Sequence, residues 1–140
     1  MASPHAGLTR LQIADRIAYV PPVSKIKMAK RRISGRGKSG SREKVVDETL
    51  YLSGKRRGAI LRQEVWREAA RVVKYNLAYI DLRHSSVDNG RVLGYDSAHG
   101  RHHRHFRGEV EEIAYSGYEA VLLRFQRELE ELWRQEDEKR

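Results

Sequence analysis

A chain of 140 residues, 39% of them hydrophobic, suits one domain with a modest core. Lys and Arg total 28 against 19 Asp and Glu, and the net charge of +9 points to a polyanionic partner, nucleic acid first and an acidic protein second. The absence of cysteine excludes disulfides, zinc ribbons and thiol catalysis and makes a reducing cytoplasm the expected setting; no apolar run nears the ~18 residues that suggest a membrane span.

The charge is uneven. Residues 1–58 hold 14 Lys and Arg against 4 acids, residues 59–107 hold 9 against 5, and residues 108–140 hold 5 against 10. Residues 8–18 admit a short helix, with Ile13 and Ile17 on one face, and Pro21 and Pro22 stop it. The stretch 25–42 is rich in Gly, Ser, Lys and Arg and lacks the apolar area to offset the entropy of ordering it. Residues 1–44 are therefore expected to form a flexible basic arm, with Met28 an alternative start, and residues 45–140 the folded domain.

Ile60 to Arg67 is ambiguous: its residues form helices readily, yet Ile60, Glu64 and Trp66 also fit a strand. Residues 72–82 are clearer. Val73, Tyr75, Leu77 and Tyr79 fall on one face of a strand, with Lys74, Asn76 and Ala78 on the other. Asp88-Asn89-Gly90 is a turn signal, and Arg91 to Tyr95 reads as the returning strand of a hairpin. Ala114 to Trp133 predicts a helix, best bounded at about 116–135. Ser116 and Glu119 form a capping box at its start, and an apolar stripe runs from Tyr118 through Val121, Leu122, Phe125, Leu129 and Leu132 to Trp133. Gln135 to Arg140 is expected to fray. The fold class is α+β, a small antiparallel sheet covered by a C-terminal amphipathic helix.

Gly94 to Phe106 holds four of the six histidines within thirteen residues, with Asp96, Arg101 and Arg104 among them. His titrates nearest neutral pH and is a common metal ligand, and Arg presents a fork of donors suited to phosphate. In an extended chain His103 and His105 share one face, with His102, Arg104 and Phe106 on the other.

The order of short motifs resembles the TumE family of bacterial and archaeal toxin–antitoxin proteins. The matching pieces are Lys74 to Tyr79, then Arg91-Val92-Leu93-Gly94-Tyr95-Asp96-Ser97, then His103-Arg104-His105. The acidic Glu109-Val110-Glu111-Glu112 and the helix after Gly117 follow in family order, and Gly58 to Arg67 resembles the family's first long strand, which favours β there. Ser97 stands where the family often has Asn. The resemblance covers roughly 48–134 and leaves residues 1–47 outside it. It implies a toxin of a two-gene module, held inactive by an antitoxin, typically a small helix-turn-helix DNA-binding protein.

Read from the residues, the site suits an RNA-directed enzyme, a metal-independent endoribonuclease. His103 and His105 supply acid–base chemistry, Asp96 orients a histidine, and Arg104 or Arg101 stabilises charge on the phosphate. Tyr95 is placed to stack on a base, and Arg101, Arg91 and His99 to bind substrate. No cofactor is expected. Two alternatives remain open. Asp96, His99, His103 and His105 are metal-ligand types, though Arg101, Arg104 and Arg107 repel a cation. A non-enzymatic nucleic-acid or ribosome-binding module is the other, favoured by the basic arm. RNA and an antitoxin are the expected partners, with the sheet edge available for the antitoxin or for a homodimer.

Overall fold

A computed structural model of the chain describes residues 41–139. The expected helix at 8–18, most of the basic stretch 25–42 and Met28 lie outside the described residues. Six strands, β1 (Glu43–Tyr51), β2 (Ile60–Glu68), β3 (Arg71–Ile80), β4 (Arg91–Ala98), β5 (Arg101–Phe106) and β6 (Glu109–Glu112), precede one long helix, α1 (Tyr118–Glu138). The strands pair in sequence order, each antiparallel to its neighbour, so the sheet is a meander built from hairpins.

Period-two alternation sorts the side chains. Leu61, Gln63 and Val65 of β2, Tyr75, Leu77 and Tyr79 of β3, and Leu93 and Tyr95 of β4 are buried, and the register sets them side by side. The ambiguous segment is thus a strand. Pairing skips from Lys74 to Val72 opposite Trp66 and Arg67, so Val72, not the expected Val73, packs on the core at this bulge.

The helix lays its stripe on that face. All seven expected residues, from Tyr118 to Trp133, are buried, and Phe125 meets Tyr95 edge-on at 6.2 Å while Trp133 meets Tyr79 edge-on at 5.8 Å. Gln63 donates to the Tyr118 hydroxyl at 2.9 Å, so the polar pair under the helix is satisfied. Burial pushes that phenol up to about 12.

Two expectations about helix ends are corrected. The N-cap is Gly117, and no side chain caps it, so Ser116 and Glu119 form no capping box. Gly117 sits at φ 126°, a conformation open to glycine, and its carbonyl accepts from Val121. At the other end the helix runs to Glu138 instead of fraying from Gln135. Arg56, in the β1–β2 connection, lies 4.6 Å over the Trp133 ring and donates to the Trp133 carbonyl and to Asp137, which pins the last turns.

Because Phe125 is 1% exposed and fills the space above Tyr95, Phe125→Ala is expected to cost about 3–5 kcal/mol. Urea unfolding measures it, and a loss below about 1 kcal/mol would show that the helix does not seal this face.

Candidate active site

With α1 on one face, the other face of the sheet has no covering element among the described residues. Register places its residues in rows across the strands. One row runs Asp47, Glu64, Asn76, Asp96, His103, Glu112, and the next runs Thr49, Arg62, Ala78, Gly94, His105, Val110. The two histidines and Asp96 therefore meet because β4 and β5 form a hairpin. His99 and Gly100 make its two-residue turn, both at positive φ, as such a turn requires.

Asp96 is the hub of this face. Its Oδ2 accepts from Arg91 at 3.1 Å and lies 2.9 Å from His105 Nε2, and its Oδ1 lies 3.4 Å from His103 Nδ1. Arg91 also grips Asp88 with Nε at 2.8 Å and with a terminal nitrogen at 3.1 Å, and the same nitrogen reaches His105 Nδ1 at 2.9 Å. A guanidinium only donates, so Nδ1 accepts and the His105 ring proton is assigned to Nε2, facing Asp96. The short Nε2 contact to Asp96 lies off the line of a good hydrogen bond, because that nitrogen is buried without an aligned partner. Asp88 Oδ2 stands 3.2 Å from the same Nδ1.

Burial pulls the Arg91 guanidinium down, yet Asp88 and then Asp96 outweigh it and hold it above its ordinary value. The Arg91 hydrogen bonds hold Asp88 below the ordinary 3.8 against a smaller opposing effect of burial. Arg91 reaches across the sheet because Gly94 has no side chain. A Cβ there would stand 2.6 Å from Arg91 Cδ and 3.1 Å from the Leu77 carbonyl.

The remaining predicted residues go elsewhere. Arg104 sits on the helix face, where it donates to Glu128 at 2.9 and 2.6 Å and to Glu111 at 3.2 Å. Tyr95, fully buried against Phe125, donates to Glu128; its ring has no face open to a base. Burial pushes Glu128 up, but the Arg104 and Tyr95 bonds prevail and hold it below 4.5. His102 is also on the helix face. It stacks on Tyr115 at 3.7 Å and meets the Tyr75 hydroxyl at 2.9 Å, and burial, then His103, lowers its pKa. His99 is exposed at the turn. Among the described residues no group of three or more His, Asp or Glu is arranged to hold a metal ion. Arg101 does lie on the open face, two residues before His103, and it is 70% exposed with Glu112 3.9 Å away.

Sequence reasoning missed Asp88 and Gly94. Asp88 reads as one residue of a turn, although its spacing of three from Arg91 was visible. Nothing local marks Gly94 as the gap through which Arg91 passes.

Of the chain's 28 Lys and Arg and 19 Asp and Glu, 18 of each lie within residues 41–139. The described domain is therefore neutral, and the +9 belongs to residues 1–40 and Arg140.

A carboxylate whose native pKa is depressed stabilises the fold above its unfolded value and loses that contribution as pH falls through the native one. Thermal stability should therefore drop as pH falls below about 4, and Asp88→Asn or Glu128→Gln should flatten part of that drop. An acid limb unchanged in both variants would contradict the pairing described.

No curated protein and no solved structure matches this chain. No helix among the described residues is long and apolar enough to cross a membrane. The profile of the family described as Toxin TumE matches residues 32–133, which brings β1 into the family region and corrects, for residues 32–47, the expectation that residues 1–47 stand outside it. With the profile spanning most of its length, the chain belongs to the TumE family, the toxins of toxin–antitoxin modules.

Proposed function

We propose that this toxin acts on RNA as a metal-independent endoribonuclease through the open face of the sheet. The observation that carries the reading is His103 beside Asp96, on a face with no covering element among the described residues, with its Nδ1 turned to the carboxylate. That leaves Nε2 for a substrate. A carboxylate behind a histidine fixes its tautomer and steadies the imidazolium that forms.

Cleavage in this reading runs through the ribose. His103 takes the proton of the 2′-hydroxyl as that oxygen attacks phosphorus. The bond from phosphorus to the 5′ oxygen breaks, giving a cyclic phosphate, and the 5′ oxygen leaves with a proton from water. Arg101, exposed and on the same face, holds the charge on the phosphate. The donors of Arg91 are taken up by Asp88, Asp96 and His105, so Arg91 acts as a positioning residue. His105, 11% exposed, steadies Asp96 from below rather than meeting substrate. Arg104 supports the fold through Glu128.

A toxin of this family comes with a cognate antitoxin, and the proposal takes it to be a helix-turn-helix protein. The folded domain is neutral, which disfavours a purely electrostatic nucleic-acid-binding module at residues 41–139; in this reading any non-specific affinity for a polyanion comes from the basic residues 1–40.

The test is purified full-length protein on total RNA. His103→Ala should slow cleavage roughly 100- to 10,000-fold, and Gly94→Ala should slow it by displacing Arg91. Unchanged cleavage after both His103→Ala and His105→Ala would overturn the proposal.

A further inference from the structure

One row along the strands from Asp96 and His103, the open face changes character. Lys44 of β1 and Lys74 of β3 pair directly with Trp66 of β2, one from each side. Their ammonium groups stand 4.9 and 4.6 Å from the indole centroid. Trp66 is the aromatic of this row, on the face away from the core, and among the described residues no other aromatic ring packs on it. Lys44 is held by Glu64 at 2.7 Å and Asp47 at 3.1 Å. Lys74 has no carboxylate partner among the described residues.

Lys74 also lines a cleft of about 420 Å³ at the end of the β4–β5 hairpin, together with Arg42, His99 and, from the helix face, Ser97 and His102. Arg42 likewise has no carboxylate partner among the described residues. In a domain that is neutral overall, two such cations beside one cleft, one of them also over an indole, favour a phosphate next to a flat ring. That is the chemistry of a nucleotide.

We propose that Trp66 and this cleft form a nucleotide subsite for single-stranded RNA, the base stacking on the indole and the phosphate lying between Lys74 and Arg42. The inference rests on RNA being the substrate. Trp66 lies three strands from His103 and one row along, a separation of roughly 16 Å from strand spacing and rise, so the subsite takes a nucleotide a few positions from the bond presented to His103. Stacking tolerates any base, so the subsite adds affinity and orientation without sequence preference. Lys44, held by its carboxylates, keeps the indole in place, and Lys74 moves aside from the ring to meet the phosphate.

The test is binding of a 2′-O-methyl single-stranded oligonucleotide of about ten nucleotides, whose blocked 2′ oxygens cannot react, to the full-length chain. The other indole, Trp133, is buried, so quenching of emission reports on Trp66. Binding should quench the emission, Trp66→Ala should weaken affinity roughly tenfold, and Trp66→Phe should restore most of it. Lys74→Ala and Arg42→Ala should each reduce the steepness with which affinity falls with salt. Unquenched emission at saturation, together with Trp66→Ala binding within about twofold of the wild type, would overturn the subsite. Cleavage of total RNA by the same proteins separates the two readings. Binding with these signatures but without cleavage sinks the ribonuclease reading and keeps the subsite. Cleavage with neither quenching nor an effect of Trp66→Ala keeps the ribonuclease and sinks the subsite.

Discussion

A sheet six strands wide has two faces, and the described part of the chain supplies one helix to cover them. Everything else follows from how the sequence divides its residues between the covered face and the bare one. The covered face takes the aromatics: Tyr75, Tyr79 and Tyr95 beneath Tyr118, Phe125 and Trp133. The bare face must be satisfied by water and by its own side chains, and around Asp96 it is built of charged and polar groups joined across strands. Apolar burial beneath the helix provides the stability, which leaves the bare face able to hold groups that a core would not tolerate.

Within that face, Asp96 accepts a hydrogen bond from Arg91 and stands against the rings of His103 and His105. The arginine is fixed in turn by Asp88 from the preceding loop. Carboxylates and cations alternate along this chain of contacts, so no charge in it lacks an opposite neighbour. The arrangement links the loop before β4 to the β4–β5 hairpin. It depends on Gly94, because any larger residue would displace the side chain that links the loop to the hairpin. A second network, Glu128 with Arg104, Arg124 and Tyr95, ties helix to sheet on the opposite face. Two groups of charged residues close in sequence thus serve two different ends.

The sequence made some of this legible and hid the rest for physical reasons. The alternation in β3 and the stripe of α1 are strong local signals, because each is a period repeated several times. β1 is the reverse case: Glu43 to Tyr51 carries three acids and a lysine among its nine residues, and only pairing with β2 makes it a strand. His103, His105 and Asp96 could be placed together from the hairpin and period two alone. The same period argued that Arg104 points away from them, and in the fold it does, toward a glutamate 24 residues on. That partner, the buried position of Tyr95 and the part played by Asp88 are tertiary facts with no local trace. The capping box failed because Gly117, able to adopt a positive φ, starts the helix one residue after the serine.

The central claim is that the toxin's action resides on the bare face, at Asp96 and His103, and not in the charged network under the helix. Growth of cells on induced production of the full-length chain tests it most directly, with each variant's thermal midpoint measured on purified protein. Asp96→Asn and His103→Ala should relieve growth arrest while leaving the midpoint close to that of the wild type. Arrest that persists in both variants at wild-type levels of folded protein would contradict the account.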